Sequence, residues 1–551
     1  MLILLFFCAP LLHGQQTVKA PMRDGIALAT DLYNADPAVR RPVLLMRTPY
    51  NKSNIKATAT RYAAAGYAVA VQDVRGRYAS AGTSLPYNNE GQDGFDTLEW
   101  IVRQAWCDGR VGMWGASAVG AVQWQAAAEG ATGLAVLCPT ATWGSFYRNI
   151  YHGGAARLAL IAQAAAGRAA PPPGKAPPMD WAPVLLHLPL SDLDEAIGWR
   201  MPWLSGILTH PHPNGFWKRL DLTRELERLS IPAQHIVGYY DFFLRETVSN
   251  FLRARKNSQQ QLILGPWDHG SIGRTKVGDV DFAAAAALDV VQENLAWFDR
   301  HLLGKKDAPL AHVRYFSMGD NAWQSADAWP PSHAVRTSFY LHSRGAANTR
   351  GGNGWLNRTA PSKEARNDSF RADPADPAPG VAEGNGRGKY GAIWGPADQR
   401  SIEDRQDVLV YDTGVLSQPV TIAGPVHAEI WGIADTPDAD WVVKLIDVAP
   451  DGFAQNIALG ILRSSFRESE TTPRPLEPGR AYKFEVDMGH VAAKVAAGHS
   501  LRVDVGAACF PLFDRNTNTG EGVFTAKTKI ATQQVWHNTH RPSRVMLWTI
   551  R

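Results

Sequence analysis

Three residues that together could form a nucleophilic triad, Ser117, Asp241 and His269, each stand at the end of an apolar stretch. Ser117 follows the run "RVGMWGA", Asp241 ends "AQHIVGYYD", and His269 ends "QQLILGPWDH". A serine hydroxyl is a poor nucleophile until an imidazole takes its proton, and an aspartate fixes the tautomer that can do so. The sequence therefore predicts nucleophilic chemistry, provided that the fold brings the three stretches side by side.

The segment around Ser117 does not match the usual nucleophile signature. In "GASAVG" the second glycine is Gly120, one place later than in G-x-S-x-G. A buried strand followed by a helix is the setting that a nucleophile elbow needs, and Gly115, Ala116 and Ala118 leave room for such a turn. Serine is also a common helix N-cap. From this segment alone, Ser117 is equally well interpreted as a nucleophile or as a helix cap.

The order of the other two residues favours the nucleophile. In α/β-hydrolases the triad runs Ser, then Asp or Glu, then His, with each partner after a strand. Asp241 and His269 follow the next two predicted strands of the α/β pattern, and His269 is the histidine at that position among the chain's 16. Asp268 competes for the acid, but residues adjacent in sequence rarely point the right way. Ser117, Asp241 and His269 are therefore the predicted triad.

Apolar runs alternate with helical stretches in the first part of the chain. "PVLLMRTPY", "YAVAVQDVRG" and "GLAVLCPTA" are continuous apolar runs that end at Gly, Pro or polar residues. Such runs are typical of strands buried on both faces, and helices between them indicate a parallel sheet. We expect an α/β-hydrolase core formed by residues 17–145 and 229–334.

The remaining segments have different patterns. Residues 146–228 are mainly helical and predict a cap inserted into the core. From residue 335 to 551 the strands are short and alternating, with Asp, Pro and Gly turns between them. They predict a C-terminal all-β jelly-roll domain. The predicted fold class is thus α/β, an α/β-hydrolase core with an inserted helical cap and a β-sandwich.

Composition excludes several other classes of protein. The chain has 551 residues, 45% of them hydrophobic, and a formal net charge of +4 without a block of Lys or Arg, so nucleic-acid binding is disfavoured. The cysteines form neither a disulfide framework nor a CxxC metal pattern. "HPHP" at 210–213 is better explained as a structural loop than as a metal site. We expect neither a metal nor a cofactor.

The N-terminus has the apolar run of a secretory leader. "MLILLFFCAPLL" is shorter than the roughly 20 residues that cross a bilayer. We expect a signal peptide over residues 1–16, a secreted or periplasmic protein, and no stable membrane insertion.

Several distinctive motifs together resemble the CocE/NonD family of α/β-hydrolases. The family includes bacterial cocaine esterase, the S15 X-Pro dipeptidyl-peptidases and the α-amino-acid ester hydrolases, and its serine box, G-x-S-Y-x-G, also has the late glycine. The resemblance is carried by the following motifs of this chain: "RTPYNK", "QDVRGRYASAG", "DGRVGMWGAS", "GYYDFF", "GPWDHG", "GPADQR" and "FPLFDRNTNTG".

The resemblance implies a role for each site residue. Ser117 would be the nucleophile, His269 the general base and Asp241 the residue that orients it. The Tyr50 hydroxyl and the backbone N–H of Ala118 would form the oxyanion hole. Ala118 stands where the family usually has tyrosine, which keeps the backbone donor and removes an aromatic wall. Activity should fall at acid pH, near the reference histidine pKa of about 6.5.

The resemblance also narrows the substrate. Phe242 and Phe243 follow Asp241, where the α-amino-acid ester hydrolases place acidic residues that hold an ammonium group. An apolar wall favours a neutral, aromatic or bulky acyl group, and Tyr151 of the cap would add to this wall. The expected partner is a small-molecule ester cleaved through an acyl-enzyme, with a homodimer as a further option.

Three alternatives remain open on the sequence. An X-Pro dipeptidyl-peptidase of this group typically carries an extra N-terminal helical domain. An α-amino-acid ester hydrolase or acylase would need the acidic residues that are absent after Asp241. In a binding protein whose core is catalytically inactive, the triad would have no function.

Overall fold

A computed structural model shows an α/β domain followed by a β-rich domain. The described residues are 15–168, 176, 180–306, 309–364, 366–380 and 395–551. The leader predicted over residues 1–16 falls largely outside them and stays a prediction.

A large, mostly parallel sheet forms the centre of the α/β domain. The strands of this part of the chain are β1 (Gln16–Pro21), β2 (Ala27–Tyr33), β3 (Arg41–Thr48), β4 (Ala68–Asp73), β5 (Cys107–Ala116), β6 (Leu134–Thr140), β7 (Tyr151–His152), β8 (Ala155–Ala156), β9 (Ala233–Gly238), β10 (Gln260–Gly265), β11 (Lys276–Val277), β12 (Val280–Asp281), β13 (Val313–Ser317) and β14 (Ala322–Ala326). The order in the sheet is β1-β2-β4-β3-β5-β6-β9-β10-β13-β14. The strands from β4 to β13 in this order pair in parallel, and antiparallel strands lie at both edges.

The inner strands are apolar because both faces of the sheet are covered. Every residue of β4, β9 and β10 is buried. Parallel strands present their carboxyl ends at the same edge, where open α/β sheets bind ligands. The neighbouring strands β5, β6, β9 and β10 therefore bring the segments after β5, β9 and β10 to one edge.

Helices cover the sheet and fill the segment between β6 and β9. The helices are α1 (Lys56–Ala64), α2 (Glu90–Val102), α3 (Ala118–Ala128), α4 (Phe146–Ile150), α5 (Leu158–Arg168), α6 (Ala182–Leu185), α7 (Leu193–Ile197), α8 (Pro202–Leu208), α9 (Thr223–Leu226), α10 (Leu244–Ala254), α11 (Val290–Leu302) and α12 (Arg400–Glu403). In the part of the chain described here, none of them has both the length and the apolarity to span a bilayer.

The helices α4 to α9 make up the cap region. Apolar side chains from these short helices, among them Leu193, Leu204 and Leu226, are fully buried in one core with the sheet residues. Since four- and five-residue helices have little stability alone, this shared core is what holds the cap together.

The C-terminal domain is built from strands. They are β15 (Val335–His342), β16 (Gly354–Asn357), β17 (Asp368–Ala372), β18 (Leu409–Asp412), β19 (Val420–Ala434), β20 (Asp440–Val448), β21 (Ala454–Arg463), β22 (Tyr482–Val495), β23 (Ser500–Gly506), β24 (Ala531–Trp536) and β25 (Arg544–Ile550). They hydrogen-bond as an 11-stranded sheet, in which β19 pairs with β22, β24 and β25. The predicted class, a mixed α/β domain with a large central sheet and a β-rich C-terminal domain, is confirmed; the jelly-roll topology stays a prediction.

A buried arginine joins the β-rich domain to the cap. Arg463 at the end of β21 lies 2.9 Å from Asp440 and 3.1 Å from Asp514, and all three side chains are more than nine-tenths buried. Asp514 in turn accepts a hydrogen bond from the backbone N–H of Ala156 in β8, at 2.6 Å. One cation thus compensates two carboxylates at the interface between the domains.

We predict that Arg463→Ala lowers the free energy of unfolding by about 3–5 kcal/mol, because it leaves two buried carboxylates without their cation. Chemical denaturation followed by tryptophan fluorescence measures the loss. Arg480→Ala is the matched control, because Arg480 pairs with Glu477 on the surface, and it should cost less than about 1 kcal/mol. Equal losses in the two variants would contradict the role assigned to Arg463.

Candidate active site

Ser117 occupies a sharp turn between β5 and α3. Its backbone has φ 62° and ψ −127°, a region that residues with a side chain rarely adopt. The Ser117 N–H donates to the carbonyl of Thr140 at 2.9 Å, which fixes the turn against the end of β6. The Ser117 side chain makes no capping hydrogen bond to α3. Ser117 thus stands at the N-cap position of α3 without the side-chain hydrogen bond of a cap, and its strained backbone is held by its surroundings.

Two glycines make this turn sterically feasible. Gly115 has φ 137°, and a Cβ there would lie 2.2 Å from Cγ1 of Val119. A Cβ at Gly120 would lie 2.7 Å from Cβ of Thr142, whose hydroxyl donates to the Ser117 carbonyl at 2.8 Å. The second glycine is at residue 120, one place later than in the usual signature, because α3 passes close to the loop after β6 at that residue.

Asp241 and His269 are hydrogen-bonded partners at the same edge of the sheet. His269 Nδ1 lies 2.9 Å from Asp241 Oδ2, and the other carboxylate oxygen accepts the Phe243 N–H at 2.8 Å. The Asp241 side chain is fully buried and that of His269 is 27% exposed. Because Nδ1 is engaged, Nε2 is the ring nitrogen left to take a proton from a hydroxyl. The adjacent Asp268 instead accepts the Gly270 N–H, at 3.0 Å.

The surroundings of His269 raise its pKa above the usual 6.5. Burial lowers the pKa, but the charge of Asp241, its hydrogen bond and the charge of Asp268 outweigh burial. The rings of Phe242 and Phe243 pack on the imidazole with centroids 4.4 Å and 5.2 Å away. Loss of the neutral base on acidification should therefore have its midpoint above the pH of about 6.5 expected from the sequence.

One cavity collects most of the predicted site residues. This Ser117 cavity, of about 290 Å³, is lined by Ser117, His269, Tyr50, Phe242 and Phe243. The cap contributes further lining residues from α4 and α5, as well as Trp203 from α8. The Tyr50 side chain is 43% exposed at the mouth. The arrangement places a hydroxyl nucleophile, a base and a phenol around one apolar space.

The structure places Tyr151 outside the Ser117 cavity. Its hydroxyl donates to the Ile207 carbonyl at 3.1 Å, and its ring stacks on Tyr147 with centroids 5.3 Å apart. Tyr151 is 3% exposed and belongs to the cap core. A tyrosine in an amphipathic cap cannot be assigned to a cavity or to a core from sequence alone, because both environments are apolar.

Three aromatic wall residues are among those that the sequence did not predict. Tyr87, Phe146 and Trp203 all line the Ser117 cavity. Tyr87 packs against Phe146 with ring centroids 5.2 Å apart, and Phe146 against Trp203 at 6.1 Å. Tyr87 has an unusual left-handed backbone, with φ 59°, but this conformation cannot be recognised from the sequence.

No metal site is evident in the described residues. No three or more His, Cys, Asp or Glu side chains there come together in a way that could hold a metal ion.

We predict that a fluorophosphonate probe labels Ser117 more slowly as pH falls, by about tenfold for each pH unit below the pKa of His269, since the neutral imidazole is the base. Because the pKa is raised, the midpoint should lie above pH 6.5. The labelling reaction is quenched at successive times, and mass spectrometry of the samples gives the labelling rates.

Two aspartate variants separate orientation from charge. Asp268→Asn should move the midpoint to lower pH and keep the plateau rate, because Asp268 acts on His269 through its charge. Asp241→Asn should lower the plateau on the order of 10⁴-fold, because it disturbs the tautomer. The reverse pattern would identify Asp268 as the orienting acid.

Two protein-family models match successive parts of this chain. Residues 24–271 match the family described as X-Pro dipeptidyl-peptidase (S15 family). Residues 306–546 match the family described as the X-Pro dipeptidyl-peptidase C-terminal non-catalytic domain. The first match covers most of the α/β domain, and the second covers β13 and β14 of the same sheet together with the β-rich domain.

Individual relatives match over nearly the whole chain. Cocaine esterase of Rhodococcus sp. (strain MB1 Bresler) is 36% identical, with 97% of this chain and 98% of that protein covered. A solved α-amino acid ester hydrolase superposes with a TM-score of 0.85 at 26% identity, covering 97% and 96% of the two chains. An aminopeptidase from Thaumarchaeota archaeon, with a TM-score of 0.86, 24% identity and coverage of 98% and 96%, shares the fold. This chain belongs to the CocE/NonD, cocaine esterase-like family of the X-Pro dipeptidyl-peptidase S15 group and is a serine carboxylic ester hydrolase.

Proposed function

We propose that the protein hydrolyses esters of neutral, aromatic or bulky acyl groups through an acyl-enzyme on Ser117. The observation that carries the proposal is the cavity lined by both Ser117 and His269, in which His269 is hydrogen-bonded to Asp241 at 2.9 Å.

The proposed reaction has two halves. His269 Nε2 takes the proton of Ser117 as Oγ attacks the ester carbonyl carbon, and the developing oxyanion is stabilised by the Tyr50 hydroxyl and the Ala118 N–H. His269 then gives that proton to the leaving alcohol as the carbon–oxygen bond breaks. A water molecule, deprotonated by His269, attacks the acyl-enzyme, and the acid leaves as Ser117 regains its proton.

The walls of the Ser117 cavity support a neutral acyl group. Of the described residues that line it, none is an Asp, Glu, Lys or Arg. An ammonium group there would lose its hydration without gaining a counter-ion, which is costly. Phe242 and Phe243 offer aromatic surface in its place. The α-amino-acid ester and X-Pro alternatives both need a site for a free amine, so neither is favoured.

We predict that Ser117→Ala lowers kcat for p-nitrophenyl benzoate on the order of 10⁴-fold or more, because the covalent route is lost. Ser417→Ala, at an exposed serine of the β-rich domain, is the matched control and should keep the wild-type rate. Mass spectrometry of the quenched wild-type enzyme should show a benzoyl adduct on Ser117. Surviving turnover in Ser117→Ala would refute the mechanism.

The peptidase alternative is tested with the same enzyme. We expect kcat/KM for p-nitrophenyl benzoate to exceed that for an X-Pro p-nitroanilide and that for a phenylglycine ester. A preference for either amine-bearing substrate would overturn the proposed acyl class while leaving the triad intact.

We predict that Tyr50→Phe lowers kcat about 10²- to 10³-fold, the usual effect of removing one oxyanion donor. The variant should still fold, and its Ser117 should still react with the fluorophosphonate probe. KM for the ester should change little, since the hydroxyl acts on the charge that develops in the transition state. A variant with unchanged kcat and a raised KM would assign Tyr50 to substrate binding instead.

A further inference from the structure

A second and larger cavity lies beside the nucleophile. This Ala118 cavity has a volume of about 520 Å³, which falls in the range of sites that hold drug-sized ligands. The Ser117 cavity, at about 290 Å³, is little more than half as large. The apolar lining residues of the Ala118 cavity include Tyr87, Val122, Ala165, Trp199, Met201 and Trp203.

The two cavities adjoin at the reaction centre. Tyr87 and Trp203 line both of them. Ala118, the residue after the nucleophile, lines the second cavity and contributes only a methyl group to its wall. Tyr87 and Trp203 thus form a boundary that the two cavities share.

Charged side chains in the wall of the Ala118 cavity already have partners. The Glu90 carboxylate lies 3.0 Å from Arg47 Nη1, behind the cavity. Arg200 lies 2.8 Å from Glu195, and Arg77 donates to the Pro49 carbonyl at 3.3 Å. Glu90 and Arg200 thus have counter-ions and Arg77 has a hydrogen-bond acceptor, and apart from Ser84 the uncharged lining side chains are aromatic or aliphatic.

The position of His269 indicates which half of an ester enters the Ala118 cavity. His269 lines the Ser117 cavity, whereas the described residues around the Ala118 cavity do not include it. The leaving alcohol takes its proton from the imidazole and so stays on the His269 side. The acyl substituent is the part of the ester that can point away from His269, toward Ala118.

We propose that the Ala118 cavity is the distal part of the acyl site and selects esters of long or multi-ring, uncharged acyl groups. The proposal rests on the function proposed above. The reacting end of the acyl group occupies the Ser117 cavity against Phe242 and Phe243, and its distal end passes Tyr87 and Trp203 into the space beside Val122.

The test fills the cavity from α3. Val122→Phe is assayed with p-nitrophenyl acetate, which is too short to reach the Ala118 cavity, and with p-nitrophenyl ω-phenylpentanoate. The ratio of kcat/KM for the long ester to that for the acetate should fall about tenfold or more, as expected when an apolar pocket loses room for its ligand. Val415→Phe, at a 78% exposed valine, is the matched control and should leave the ratio unchanged.

The acyl and alcohol assignments are separated by the second half-reaction. Deacylation of the isolated ω-phenylpentanoyl-enzyme should also be altered in Val122→Phe, because the acyl group is still bound. When p-nitrophenol is replaced by bulkier alcohols and the acyl group is kept, the loss of kcat/KM in Val122→Phe relative to the wild type should stay the same. A deficit that follows the alcohol and spares deacylation would overturn the proposal.

A second variant protects the test against misfolding. Ala165→Leu fills the same cavity from α5 and should lower the same ratio. Equal effects of both variants on acetate and on the long ester would also overturn the inference. Neither outcome bears on the acyl-enzyme, which Ser117→Ala and the benzoyl adduct test separately.

Discussion

The strained backbone of Ser117 is the constraint on which the site depends. A φ of 62° at a residue with a side chain costs on the order of 1–3 kcal/mol and persists only where the surroundings enforce it. Here β5 ends and α3 begins within one residue, and Gly115 and Gly120 allow the close approach of Val119 and Thr142. The turn keeps the serine hydroxyl out of the helix cap and free for chemistry.

The rest of the α/β domain makes that turn useful. Because β5, β6, β9 and β10 are neighbours and parallel, the residues that follow β5, β9 and β10 meet at one edge. The short distance of 2.9 Å between Asp241 and His269 joins the last two of these segments. An aromatic ring packs against the His269 imidazole, while the buried aspartate supplies charge that raises the pKa of His269.

Much of this arrangement was predictable because the inner strands are continuous apolar runs. The stretches quoted for Ser117, Asp241 and His269 overlap strands β5, β9 and β10, and helices lie between the strands as the alternating pattern predicts. The order of triad residues along the chain follows from the order of strands. Periodicity was less informative in the cap, where short helices depend on tertiary packing. Tyr151 is the example: its expected contact with the substrate gives way to a hydrogen bond with Ile207.

The sequence by itself determined the chemical groups, their order and the family to which they belong, since these depend on residue types and on local apolar patterns. Only the tertiary structure decided what lies between the groups. The two cavities beside Ser117 are bounded by Tyr87 from a loop, by Val122 from α3 and by Trp203 from the cap, segments far apart in the chain. The volume of such a space depends on how distant surfaces meet. No local pattern encodes that meeting, and so the proposed acyl site could be inferred only from the packed structure.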